Sequence, residues 1–166
     1  MSTIFIRKTG LVFRVHYSGL NPLDNKASKK QGGRWNRKNK YGAIYTALDK
    51  KTLRAELNKM VDRRGITAKD LFRWKITVIE IKLRNVLNLT DPKIRKKFKI
   101  KLADILSDNE DCKEKCCKIA DKTRNLGAEA ILSPSAANPE GKNLNIYPDK
   151  LLKNSYIKRI KTENLI

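Results

Sequence analysis

Residues 32–57 read GGRWNRKNKYGAIYTALDKKTLRAEL, a stretch in which turn, strand and helix signals follow one another. The Gly32-Gly33 pair marks a turn. GAIYTA, residues 42–47, is a short apolar run with β-branched and aromatic members and predicts a strand. Asp49 then offers an N-cap for a helix in which Leu53, Leu57, Met60 and Val61 share one face, and Gly65 ends it.

Working outward, LVFRVHY (residues 11–17) predicts a strand, and a polar, lysine-rich loop joins it to Gly32. Beyond the helix, Thr67 with Asp70 three positions on resembles a capping box for a short helix through Leu71. WKITVIEIKL (74–83) is the clearest long strand, and NVLNL continues it or pairs beside it. Pro92 suits the first turn of another helix. A polar helix is expected over residues 110–126, stopped by Gly127. AEAIL returns to strand, SPSAANPEGKN forms a loop, LNIY a further strand, and YIKRI an edge strand guarded by its lysines. No internal repeat is evident, and the elements lack regular βαβ alternation, so the expected class is a mixed α+β domain. Neither GxGxxG nor a P-loop occurs, which removes the two familiar nucleotide cradles.

Bulk properties narrow the function classes. A chain of 166 residues with 40% apolar content suits one folded domain over its whole length. No apolar run is long enough to span a bilayer, and MSTIFIRKTG lacks the apolar core of a signal peptide. A cytoplasmic protein without a membrane partner is the expectation. Cys112, Cys116 and Cys117 crowd into one predicted helix far from the lone His16, which predicts reduced, inert thiols and no metal site. Lys and Arg number 38 against 17 acids, a net charge of +21. That charge attracts polyanions: nucleic acid, an acidic partner protein or a phosphorylated metabolite. The lysines are scattered, however, and equally suit solvated faces. The densest run, residues 93–101, is interrupted by Ile94, Phe98 and Ile100, as in an amphipathic element.

Three segments place unusual polar groups in apolar or turn contexts. In Gly32-Gly33-Arg34-Trp35-Asn36, paired glycines allow close approach of a ligand, and Arg34 offers a planar fork for phosphate; a simple turn beside a core tryptophan explains the residues equally. Tyr45-Thr46-Ala47 leads into the helix carrying Glu56, either a solvated helix carboxylate or, if partly buried, a group with a purpose or a partner. Ser133, Ser135, Asn138, Asn143 and Asn145 can hold a sugar or an amide, or close a turn. No histidine partners either serine, which argues against a serine-hydrolase triad.

Taken together, VFRV, GGRWN, IYTA, the helical AEL and ILSPSAANPEGKNL resemble, in order, the RES domain, named for its arginine, glutamate and serine. The resemblance runs from about Leu11 to Tyr147, with Arg34, Tyr45 and Glu56 equally spaced. It is interrupted by a lysine-rich segment near residues 90–119, which reads as an insertion or divergent connector, and it weakens after the serine loop. It implies an ADP-ribosyltransferase-like split β-sheet core with flanking helices, holding NAD as substrate and needing no metal. It also implies a toxin of a toxin–antitoxin pair, paired with a helix-turn-helix antitoxin, that cleaves NAD at the nicotinamide–ribose bond by hydrolysis or phosphorolysis. By position, Arg34, Glu56 and Ser135 match the signature catalytic residues, while Arg14, Arg34, Tyr45 and Ser135 match NAD-binding positions. Two alternatives stand beside this reading: an ADP-ribosyltransferase modifying a protein or nucleic acid, and a non-catalytic basic nucleic-acid-binding protein. A homo-oligomer is compatible with the sequence.

Overall fold

WKITVIEIKLRNVLN, rich in β-branched and other apolar residues, gives the longest strand of the computed structural model, which describes residues 3–165. This is β3 (Trp74–Asn88), and the other strands assemble around it: β1 (Phe5–Tyr17), β2 (Ile44–Ala47), β4 (Ala130–Pro134), β5 (Lys142–Ile146) and β6 (Tyr156–Asn164). β1 pairs antiparallel with β3 along their lengths, from Phe5 opposite Leu87 to Tyr17 opposite Trp74. From β1 the order continues β2–β5–β4–β3, so the sheet closes on itself as a barrel-like ring.

The sheet forks at β3. Lys75–Lys82 pair antiparallel with β6, whereas Val86–Asn88 pair parallel with β4. Between the two partners the register on β1 slips, from Lys8 opposite Leu83 to Ile6 opposite Val86, leaving Arg84 and Asn85 in a bulge. Their N–H groups both donate to Oε2 of Glu129, at 2.7 and 2.8 Å, and Leu152 N–H donates to its Oε1 at 2.9 Å. Glu129 is fully buried, and a buried carboxylate is tolerated only when hydrogen-bonded in this way. It is the part that lets one strand change partners.

Six helices among the described residues cover the ring: α1 (Lys26–Gln31), α2 (Lys50–Arg64), α3 (Ala68–Leu71), α4 (Pro92–Lys97), α5 (Leu102–Leu106) and α6 (Glu110–Asn125). Asp49 caps α2 as expected, its Oδ1 accepting from Thr52 N–H at 2.7 Å, and Gly65 ends it at φ 61°. Leu53 of α2 packs with Ala47 and Ile76. Val12, Ile44, Ile79, Ile81, Leu83, Leu144 and Ile146 belong to the central cluster. A second cluster joins Trp35, Leu87, Ile131 and Tyr147 to Leu89, Ile100, Ile105, Cys116 and Ile119. Each such apolar side chain contributes roughly 1.5–3 kcal/mol on burial.

The mixed α+β class read from the sequence is observed, as one connected, forked ring where the resemblance implies a split sheet. β1 begins at Phe5 rather than Leu11, because β3 offers pairing to a segment whose charged residues hide its strand character. Residues 26–31 are helical rather than loop; Gly32, at φ 75°, closes that helix by donating from N–H to Ser28 O. NVLNL continues β3 as far as Asn88. The lysine-rich 90–119 segment is folded throughout its middle, with Ile100 and Ile105 buried in the second cluster. No helix among the described residues is long and apolar enough to cross a membrane.

Candidate active site

Ser135 and Glu56 meet through the strand-to-loop transition after β4. Ser135 N–H donates to Gly141 O at 3.0 Å, and its Oγ accepts from Ala137 and Asn138 N–H at 3.2 and 3.0 Å. These bonds close the loop and fix the hydroxyl. Its own proton goes to Glu56 Oε1, 2.5 Å away. Asn143, at the start of β5, donates from Nδ2 to the same oxygen at 2.7 Å. Both bonds fall on Oε1, and Oε2 accepts none among the described residues. Glu56 is half-buried, so a sequence-ambiguous helix carboxylate proves to be a partnered one. Ser135 is fully buried and reaches the site through Glu56, as a positioning residue; its hydroxyl is committed.

The loop is tied to the helix from which Glu56 projects. Asn138 Nδ2 donates to Thr52 Oγ at 3.1 Å, and Thr52 Oγ donates in turn to the capping carboxylate of Asp49 at 3.0 Å. Gly141 packs against Thr52 so closely that any Cβ there would collide with it.

Arg34 comes from the opposite wall. Gly33 and Asn36 form an isolated bridge, so Arg34 and Trp35 occupy a tight turn. Tyr45 of β2 holds that turn: its hydroxyl donates to Asn36 Oδ1 at 2.6 Å and accepts from Trp35 N–H at 3.1 Å. A Cβ on Gly33 would strike the Tyr45 hydroxyl, which is why this position is glycine. Burial pushes the Tyr45 phenol well above its usual range, so it stays neutral. Tyr147 donates to Trp35 O at 2.7 Å, and Cys117 Sγ lies 3.3 Å from Gly33 O and 3.4 Å from Arg34 O. Cys117 thus braces the turn, and burial raises the neighbouring Cys116 thiol to about 11. No group of three or more His, Cys, Asp or Glu suited to a metal occurs among the described residues.

Between the walls lies a cleft of about 330 Å³, lined by Arg34, Tyr45, Glu56, Ser133, Asn143 and Asn145 among others. An adjoining hollow of about 430 Å³ shares Gly32, Tyr45 and Glu56 with it and is lined on its far side by Arg14. Arg14 donates to Pro22 O and Asp24 O at 2.5 and 2.8 Å, so its guanidinium is partly engaged by backbone. His16 lies in neither lining; it bonds Thr77 Oγ at 2.7 Å within the sheet.

Several cleft residues escaped the sequence reading, Lys59, Arg63 and Asp108 among them. Lys59 and Arg63 lie one and two turns beyond Glu56 on α2 and line the cleft with it. Helical periodicity alone was the signal for them. Asp108, in the loop between α5 and α6, pairs with Arg34 Nη2 at 3.2 Å, with Lys59 Nζ at 3.0 Å and with Arg63. The Arg63 hydrogen bond first, with Lys59 assisting, holds its carboxyl at about 2. No sequence pattern announced this one.

Among curated proteins, none matches this chain in sequence. Among solved structures, a chain of the M. tuberculosis MbcT–MbcA toxin–antitoxin complex has a similar fold, with a TM-score of 0.81 at 20% identity over 97% of this chain and 86% of that one. The family model described as RES domain matches residues 11–164, a span that includes every residue of the cleft, and the chain belongs to the RES-domain family.

Proposed function

We propose that the protein is the toxin of a toxin–antitoxin pair and that it cleaves NAD at the nicotinamide–ribose bond, on an ADP-ribosyltransferase-like core. The observation carrying this reading is the half-buried Glu56 carboxylate, with Oε1 held by Ser135 and Asn143 in a cleft whose other wall presents Arg34. Nicotinamide is a good leaving group because it departs neutral from a cationic precursor, taking the bonding pair of the C–N bond. The ribose left behind is an oxocarbenium-like cation. A catalyst for this reaction must anchor the diphosphate, orient the ribose and put negative charge beside the anomeric carbon.

The chain's groups suit those tasks. Arg34 offers charge-assisted bonds to diphosphate oxygens, and Arg14 can supply a second anchor from the adjoining hollow. The Tyr45 hydroxyl is used within the protein, so the ring is what it offers for stacking. Glu56 Oε2 accepts from a ribose hydroxyl and faces the forming cation. Ser135 and Asn143 hold Glu56 still, which removes reorganisation at the moment of reaction. Water or phosphate then adds to the anomeric carbon, and with water a proton is released.

The pairing with an antitoxin is supported by family membership together with the toxin–antitoxin complex of the structural neighbour. The expected antitoxin is a helix-turn-helix protein, and an adjacent reading frame encoding one would support the pairing. The primary test incubates purified protein with NAD and follows nicotinamide together with ADP-ribose or its phosphate. Release of both supports cleavage. Nicotinamide release with a mass increase on an added protein or nucleic acid would instead support transfer, and no nicotinamide release at all would end the proposal.

A further inference from the structure

Asp108 sits where a ligand would be expected. Its Oδ1 takes Arg34 from the glycine turn, and its Oδ2 takes Lys59 and Arg63 from α2. One carboxylate thereby bridges both walls of the cleft that also contains Glu56. The charges do not balance: Asp108 alone is paired with Arg34, Lys59 and Arg63, and with Glu56 counted two carboxylates still face five cations, since Lys113 and Arg64 line the same cleft. The two carboxylate oxygens divide the cations between them, much as the separate phosphates of a diphosphate would. The three-cation seat therefore fits an anion larger and more highly charged than the one in it.

The loop is built so that this side chain can leave. Residues 107–109 are held independently of it: Asn109 N–H donates to Ser107 Oγ at 3.1 Å, and Asn109 Oδ1 accepts from Asp111 N–H at 2.8 Å, capping α6. The Asp108 side chain is 43% exposed, so rotation places its carboxylate in water without opening the fold. Arg34, by contrast, is 14% exposed, and its Nη1 also donates to Asp104 O at 3.5 Å.

We propose that Asp108 is an exchangeable internal anion, occupying a diphosphate seat formed by Arg34, Lys59 and Arg63 and displaced to solvent when a ligand diphosphate binds. The inference rests on the reading of the cleft as a dinucleotide site and adds two things to it: the α2 cations as diphosphate ligands, and a competitor carried by the chain itself. Binding then requires breaking the Asp108 ion pairs, so the apparent affinity is set by the exchange.

The test measures binding of inorganic pyrophosphate to the full chain by titration calorimetry, at fixed ionic strength because exposed ion pairs are screened by salt. Asp108→Asn and, as a second form, Asp108→Ser should each tighten pyrophosphate binding by roughly tenfold, the order expected for removing one like charge at ion-pair distance. Adding Lys59→Ala and Arg63→Ala to the Asp108→Asn chain should abolish the gain. Unchanged affinity in both Asp108 variants with native unfolding midpoints, or a gain that survives loss of both α2 cations, would overturn the proposal. The outcome is independent of turnover. A chain that releases no nicotinamide yet shows the tightening keeps the anion seat and loses the NAD-cleaving reading, and one that cleaves NAD with no tightening does the reverse.

Discussion

Replacing Glu56 by Gln removes one charge while keeping length, shape and a carbonyl oxygen able to accept from Ser135 and Asn143. The two bonds to Oε1 become neutral, and bonds to a charged acceptor exceed neutral ones by about 1 kcal/mol. Stability should therefore fall by roughly 1–2 kcal/mol, a shift of about 2–8 °C in the unfolding midpoint for a chain of this size. The effect on turnover is much larger. A carboxylate about 4 Å from a forming cation, at an effective dielectric near 20, is worth about 4 kcal/mol. Losing it slows the chemical step on the order of 1,000-fold. Diphosphate binding does not involve Glu56, and its ribose contact only changes from a charged to a neutral bond, worth about 1 kcal/mol, so NAD affinity should fall by roughly fivefold at most and most of the loss should appear in kcat. The assay is single-turnover nicotinamide release at saturating NAD, beside a direct binding titration. A Gln variant with kcat within threefold of the unaltered chain would refute the reasoning, because no charge would then be acting on the transition state.

Ser135→Ala removes the 2.5 Å bond to Glu56 and the acceptor of two loop N–H groups; denaturant unfolding should show a loss of about 1–3 kcal/mol, and kcat should fall by more than KM changes. Glu129→Ala orphans the three N–H groups at the fork of β3 and should cost about 3 kcal/mol or more without any specific effect on NAD affinity, separating a structural buried carboxylate from the working one. Stability should also fall as pH drops below about 6.5. Burial, the largest cause, lowers the folded-state value of His16, the single histidine, so the unfolded chain takes up the proton first; the contribution is complete above 6.5 and diminishes toward the folded value. Chemical denaturation at pH 7.5 and 5.5 checks this, and a His16→Gln chain retaining the same slope would count against it.

Strands with strong alternation and helices with capping residues were legible from the sequence because those signals are local. Asp49, Gly65, the Thr67–Asp70 box, Pro92 and the long β3 all lie where the sequence placed them. The start of β1 was not legible, since FIRKTG becomes strand only by pairing with the far end of β3, which lies more than sixty residues away in sequence. The ring was hidden for a related reason. Its closure depends on β3 changing partners, and that change depends on Glu129, a single acid inside the apolar run AEAIL that no periodicity distinguishes from a solvated residue.

The cleft divides along the same line. Arg34, Tyr45 and Glu56 are brought together because a turn, a strand and a helix succeed one another there, and the equal spacing reflects that local path. Ser135 and Asn143 join them only through the β2–β5–β4 order, which places Asn143 opposite both Ala47 and Ser133. Asp108 arrives by the longest route. The segment that carries it reads as a connector, yet Ile100 and Ile105 anchor it in the cluster beneath the cleft, and the short loop after α5 then has little choice but to project over Arg34. A lysine-rich stretch that looks dispensable in sequence therefore fixes the one carboxylate that competes for the cleft's cations, and its apolar residues, rather than its charges, determine where that carboxylate stands.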